Sequence, residues 1–440
     1  MNVIPMRPPG AARWTVAAAP LGLILSACAA SPAKPIESIE NKMGAIAAPP
    51  WAQVQLAELL GRDLGRFGDV LERGDEYRLK IEVAIPVAQG DGVRVVRSSL
   101  DFGPDYFYPA SSVKTCAVLA AMEQITRGRK ASGQDLGLET SMVFQPLFEG
   151  ESVEDRDPSH LNGGAITVGH DLRKVFLVSD NAAYNRLYEL SGPRLIDGML
   201  DAAGFPGARI VHRLSEFRSR ADQLRLPAID FRSGSDLLWS LPERHDDIDV
   251  DNAELSGISF GTGHTQGNEV VDGPMSFLHK NWMPLRELID MNIAILAPEV
   301  ALEGRAGFGL EESHRQAIAQ AMAQCPGESS DPVYDPERYP FDYSKFLAPG
   351  VLRVRGKDEV TVRDKVGRAY GFSVTNSEVI DHVTGRRFFL AATIYINPNG
   401  VVGDGVYGYE RADRFFADLG EVVARSVFGP AAQPPAAKAP

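Results

Sequence analysis

Segments that alternate apolar and polar residues and are rich in β-branched side chains sit near both ends of this chain. "YRLKIEVAIPV" (77–87) and "VRVVRSSLDF" (93–102) read as two adjacent strands. "VLRVRG" (351–356), "AYGFSVTNSEVID" (369–381) and "FFLAATIYI" (388–396) read as three more. The middle is predominantly helical in pattern. Strands must find partners, so this order predicts one antiparallel sheet built from both termini, flanked by helices, with an all-helical lobe inserted: an α/β (α+β) fold. Trp51–Arg73 reads as an amphipathic helix and Asp404–Phe428 as a closing one. No internal repeats are visible.

The ends carry different signals. Arg7 and Arg13 precede an apolar stretch, Trp14 to Leu25, followed by "LSAC". The stretch is about 12 residues, short of the roughly 20 that cross a bilayer. Residues 1–27 are therefore expected to be a signal peptide. Residues 29–50 are rich in Ala and Pro and read as a flexible tether after Cys28, and 429–440 as a disordered tail. A single folded domain is expected over 51–428, with insertions at about 235–350. The net charge of −13 argues against a nucleic-acid partner. Three cysteines are too few for a disulfide framework.

Within "YFYPASSVKTCAVLAAM" (106–122), Ser111 stands three residues before Lys114. In a helix both would face the same way, and Pro109 suits a helix start. The apolar run after Lys114 predicts burial, which disfavours an ammonium and leaves an amine able to take the hydroxyl proton. Ser-x-x-Lys alone is weak: "SPAK" (31–34) matches too. Here, however, it is followed by Ser179-Asp180-Asn181 at a junction of two helical segments. Lys365-Val366-Gly367 then follows at a late strand.

This ordered triple resembles that of class A β-lactamases and penicillin-binding proteins, over roughly residues 51–428. The resemblance implies a β-lactamase/transpeptidase-like fold and a serine hydrolase that works through an acyl-enzyme. It assigns Ser111 as nucleophile, Lys114 as its activator and Ser179 as a proton relay to the leaving nitrogen. Asn181 would bind a substrate amide and orient Lys114, and Lys365 would meet a substrate carboxylate. The backbone N–H groups of Ser111 and Arg368 would form the oxyanion hole. Gly367 would leave room for substrate along the strand edge. β-Lactams or peptidoglycan-derived amides are the implied substrates, and no cofactor or metal is implied. "LSAC" resembles the lipobox of bacterial lipoproteins. That implies lipidation at Cys28 and a membrane-anchored protein in the cell envelope that faces the periplasm. Ala29 points to the outer membrane.

Three departures from the family pattern stand out. Val366 replaces the usual Thr or Ser and cannot donate to a substrate carboxylate, a loss of about 1–3 kcal/mol if nothing replaces it. The deacylating glutamate of class A enzymes aligns with Arg218 in "IVHRLSEFRSRADQ" (210–223), and Glu216, two residues earlier, is the substitute to examine. The stretch between the second and third motifs is also long. These features leave open a penicillin-binding D,D-peptidase, another amidase or esterase, or a feeble ligand-binding lipoprotein.

Rival motifs fit poorly. "GISFG" (257–261) matches a nucleophile elbow but lacks the flanking strand and helix pattern. The acidic run Asp246, Asp247, Asp249, Asp251 has Asn252 and Ile258 where a calcium loop counted from Asp247 needs Gly and Glu. The eight histidines show no metal spacing. Cys116 is expected to pack in its helix, with pairing to Cys325 as the alternative, and Tyr108 to pack or to line the cleft mouth.

Overall fold

The computed structural model describes residues 36–38 and 48–429. The expected signal peptide, the expected lipidation site Cys28 and all of the expected tail but Gly429 lie outside the described residues, as does most of the expected tether. Among the described residues, no helix is long and apolar enough to cross a membrane.

The central sheet is antiparallel and drawn from both ends of the chain. Its strands are β1 (Ile36–Ser38), β2 (Lys80–Gln89), β3 (Gly92–Asp101), β4 (Val360–Asp364), β5 (Gly367–Ala369), β6 (Phe372–Asp381) and β7 (Arg387–Tyr395). The order is β1-β3-β2-β7-β6-β4, with β5 also paired to β6. The join between the two termini is β7 against β2, with Leu390 opposite Val83.

Strand alternation explains how the sheet is covered. Along β7, Phe388, Leu390, Ala392 and Ile394 meet Phe416, Leu419 and Val423 of the closing helix. The residues between them, Phe389 and Ala391, meet Ile289 and Ile293 of a helix from the inserted region. Both faces of β7 are thus buried, and truncating a residue such as Phe389 to Ala should cost about 3–5 kcal/mol.

Five helices frame the site: α1 (Lys114–Ser132), α2 (Val168–Leu177), α3 (Asn181–Ser191), α4 (Leu285–Leu296) and α5 (Tyr409–Phe428). α1 is buried on nearly all sides over Lys114–Met122, so it forms the axis of the helical lobe. That lobe is not all helical as expected: it also holds short antiparallel pairs, including Ser141–Phe144 with Ile229–Ser233 and Ile229–Ser233 with Asp236–Leu241.

Several local expectations need correction. "VLRVRG" is not a strand: Ala348–Val351 is a helical turn running into turns, and the strand lies at Val360–Asp364. Trp51–Arg73 is broken into Leu56–Gly61 and Leu64–Glu72, where Asp63 caps the second helix by accepting from Arg66 N. The closing helix starts at Tyr409 rather than Asp404. Ser259 lies on a two-residue strand paired with Met275–Ser276, followed by another strand and not by a helix. Cys116 and Cys325 are both free thiols, and the Cys116 Sγ lies 3.7 Å from Met291 Sδ. Burial pushes the Cys116 thiol up to about 12, as suits a packing residue.

Candidate active site

Pro109 leads into a 3₁₀ turn, Ala110–Val113, that continues directly as α1. Ser111 lies in that turn and lines a cavity of about 450 Å³. Ser179, Asn181, Val366 and Arg368 line the same cavity. Three segments far apart in sequence therefore meet at one opening.

Lys114 is fully buried and its Nζ is surrounded by acceptors from the second segment. It donates to Ser179 O at 2.5 Å, Asp180 O at 3.1 Å and Asn181 Oδ1 at 2.7 Å, and lies 3.5 Å from Ser179 Oγ. Burial, reinforced by the charge of Lys365, holds its ammonium well below the ordinary range. Lys365 Nζ lies 2.9 Å from Ser179 Oγ and donates to Val366 O at 2.9 Å. It is buried too, and that burial brings its ammonium down to about 7 against the opposing pull of Asp364. The Ser179 hydroxyl is thus within 3.5 Å of both amines.

Ser179 is fixed by its setting between α2 and α3. Asp180 caps α3 by accepting from Ala183 N at 2.8 Å. Beneath the junction, Arg186 reaches Asp171 and Asp157, and Lys174 donates to Asp157 at 2.7 Å. Removing one member of such a buried ionic group is strongly destabilising, so the network clamps both helices.

β5 forms the third wall. A Cβ on Gly367 would lie 2.3 Å from Pro109 O and 2.9 Å from Ser111 N. Only glycine lets the strand backbone approach the turn that closely. Val366 is buried, and the Arg368 side chain is held by Asp413 and lies over the Phe346 and Tyr409 rings. Asp413 and Phe346 line the same cavity, so the Arg368 side chain stands at its edge.

Glu216 lies elsewhere. Its carboxylate accepts from Asn185 Nδ2 at 3.2 Å and Arg218 Nε at 2.5 Å, and it does not line the Ser111 cavity. It borders a neighbouring cavity of about 360 Å³ with Tyr108, Ser215, Lys280 and Tyr370. The loop residue that reaches the cluster is Ser215, whose Oγ accepts from Asn181 Nδ2 at 2.7 Å. Tyr108 packs edge-on to Tyr370 at 5.3 Å, so it both packs and lines a cleft.

One wall has no counterpart in the sequence motifs. A strap running from Ser329 to Phe346 brings Asp342, Tyr343, Lys345 and Phe346 to the Ser111 cavity. Its Ser344 Oγ donates to Leu177 O at the end of α2 at 2.9 Å. "YDPERYPFDYSKFL" is conspicuously aromatic, and Tyr334, Tyr339 and Tyr343 do pack in series at 5.2 and 5.0 Å.

Backbone strain collects here. Five non-glycine residues among those described have positive φ; Ser179 (57°), Ser215 (55°) and Tyr370 (54°) line the two cavities, and Ala110 (50°) directly precedes Ser111. Such conformations persist only where the surroundings enforce them.

Comparison with known proteins agrees with this picture. Residues 102–237 match the model of the Beta-lactamase enzyme family. That span carries the Ser111, Ser179 and Ser215 segments. With the antiparallel sheet and its flanking helices, the match gives the chain a β-lactamase/transpeptidase-like fold. Similar solved structures include L2 complexed with relebactam, at 16% identity and a TM-score of 0.43, covering 81% of this chain and 94% of that one. A β-lactamase from Xanthomonas campestris pv. campestris is 14% identical with a TM-score of 0.44, covering 84% and 98%. Another from Desulfarculus baarsii is 15% identical with a TM-score of 0.44, covering 84% and 99%. No curated protein matches the sequence.

Proposed function

We propose that the protein is a β-lactamase-like serine hydrolase that forms an acyl-enzyme on Ser111 and acts on β-lactams or related cell-wall amides. The observation that carries this reading is Ser179 Oγ, poised between Lys114 and Lys365 in the cavity that Ser111 lines. In its neutral form, which burial favours, Lys114 takes the Ser111 proton as Oγ attacks the carbonyl carbon. The developing oxyanion is met by the N–H groups of Ser111 and Arg368, worth a few kcal/mol of barrier. Ser179 passes a proton to the leaving nitrogen and is reprotonated from Lys114. Lys365 supplies positive charge toward a substrate carboxylate.

Turnover is expected to stall at the acyl-enzyme, which makes the protein behave more like a penicillin-binding protein than a resistance enzyme. Supporting this, the 210–223 loop contributes no carboxylate to the Ser111 cavity, and Ser215 rather than Glu216 contacts Asn181. Val366 further weakens recognition of a carboxylate. The "LSAC" motif supports attachment to a membrane through Cys28, facing the periplasm.

Labelled penicillin with an intact-mass readout tests the proposal. A long-lived adduct on Ser111, absent from Ser111→Ala, is expected. No adduct, together with no cleavage of ester or D-Ala-D-Ala substrates, would leave the feeble binding lipoprotein as the reading.

A further inference from the structure

The second cavity, of about 360 Å³, lies next to the one that Ser111 lines. Three links join them. Tyr370, on the wall of the second, is one residue past the end of β5, whose Arg368 lines the first. Ser215, on the same wall, accepts from Asn181, which lines the first. Tyr108, also on that wall, stands three residues before Ser111.

Strand direction decides which part of a substrate reaches this space. On the proposed mechanism, Ser179 and Lys365 face the leaving half of the substrate. The two substituents of an attacked carbonyl point apart, so the acyl half runs the other way, along β5 toward Tyr370.

The wall there is part apolar and part charged. Val211, Leu224, Ile248 and Leu278 supply apolar surface, and Phe217 stands at the mouth with 94% of its surface exposed. Most of the charges are already matched. Arg213 pairs with Glu189, Arg218 with Glu216 and Glu151, and Arg220 with Asp249. Lys280 is the exception. It is half-buried and has no ion pair among the described residues, and burial alone lowers its ammonium. A cation drawn out of water with no counter-ion is costly to keep.

His212 is the second unmatched group. It is only 7% exposed and lines the same cavity. Its Nδ1 bonds to Arg213 O, which can only accept, so Nδ1 carries the hydrogen and Nε2 the lone pair. That Nε2 is buried without a hydrogen-bond partner. Burial, reinforced by the charge of Lys280, brings His212 down to about 3, so the ring stays neutral. One donor and one acceptor on this wall are thus left unsatisfied by the fold, as befits groups kept for a ligand.

We infer that this cavity receives the acyl side chain of the substrate, and that Lys280 selects side chains bearing a carboxylate. The inference rests on the proposed acylation of Ser111. The apolar wall covers the body of the side chain, the Lys280 ammonium donates to its carboxylate, and His212 Nε2 accepts from an N–H or O–H of the same group. An ammonium–carboxylate bond shielded from water is among the stronger polar contacts a protein makes. With Lys365 facing a carboxylate on the leaving half, the preferred substrate is an amide that is acidic at both ends.

The probe is a penicillin with an adipoyl side chain, which is flexible and ends in a carboxylate, compared with the methyl ester of that side chain. Binding to the full chain carrying Ser111→Ala is read by calorimetry, so the result does not depend on acylation. The acid should bind at least about fivefold more tightly than the ester. Lys280→Met in the same background should bring the ratio below about twofold, and Lys280→Arg should keep it near the starting value. A smaller starting ratio, or one that survives Lys280→Met, overturns the inference. Lys280→Gln replaces the methionine variant if that one fails to fold. Intact mass of the wild-type chain reports Ser111 separately. A charge preference without any adduct overturns the hydrolase proposal and leaves the selection at Lys280 standing; an adduct without the preference does the reverse.

Discussion

The backbone of Gly367 touches that of Ser111: a Cβ at 367 would stand 2.9 Å from Ser111 N. The strand and the Ser111 turn are in register because nothing projects between them. Gly367→Ala should push the two apart and lower the rate of penicillin acylation at least 100-fold, since misplacement by about 1 Å costs that much. Stopped-flow acylation checks this; a loss under tenfold would show that the contact does not set the geometry.

Lys365 makes the site sensitive to pH. Burial lowers its ammonium to about 7, so the charge that would meet a substrate carboxylate fades above neutrality. The second-order rate of Ser111 acylation by a carboxylate-bearing β-lactam should fall from pH 7 to 9 relative to that by an uncharged ester. Stability moves the other way. The unfolded lysine stays protonated up to its ordinary 10.5, so between about 7 and 10.5 the unfolded chain binds more protons and folding is favoured as pH rises. Lys365→Met should abolish that part of the gain, as measured by urea unfolding at pH 7 and 9.

Glu216 is bound to Asn185 and Arg218, not to the cavity of Ser111. Glu216→Gln should leave both acylation and loss of the adduct within about threefold of wild type. Adduct lifetimes followed by intact mass provide the check, and a tenfold longer lifetime in the variant would make Glu216 the deacylating base after all.

Asp171 is fully buried against Arg186 under the α2–α3 junction. Asp171→Ala leaves a buried guanidinium short of a partner and should cost about 3–5 kcal/mol. Chemical denaturation measures it. A cost below about 1 kcal/mol would mean that the ionic clamp does not hold Ser179 in place.

Much of this architecture is legible in the sequence because it is local or periodic. Alternation marks β2, β3, β6 and β7, and the apolar run after Lys114 marks a helix buried on nearly all sides. "VLRVRG" misleads because a short β-branched alternation also suits a turn packed on α5, and there tertiary packing decides. The strap leaves no periodic trace. Its contacts join residues such as Leu161 and Asp331, 170 positions apart. Ser215 escapes notice because the family pattern draws attention to carboxylates, whereas the loop presents a hydroxyl to Asn181.

The left-handed conformations at Ala110, Ser179, Ser215 and Tyr370 carry a trade with them. Each costs of order 1–3 kcal/mol that a relaxed chain would keep. Glycine or asparagine at these positions would tend to toughen the molecule while loosening its grip on the reacting groups. Selection for heat resistance alone should therefore drift toward a sturdier, sterile protein, and the first substitutions it accepts will map the reactive centre.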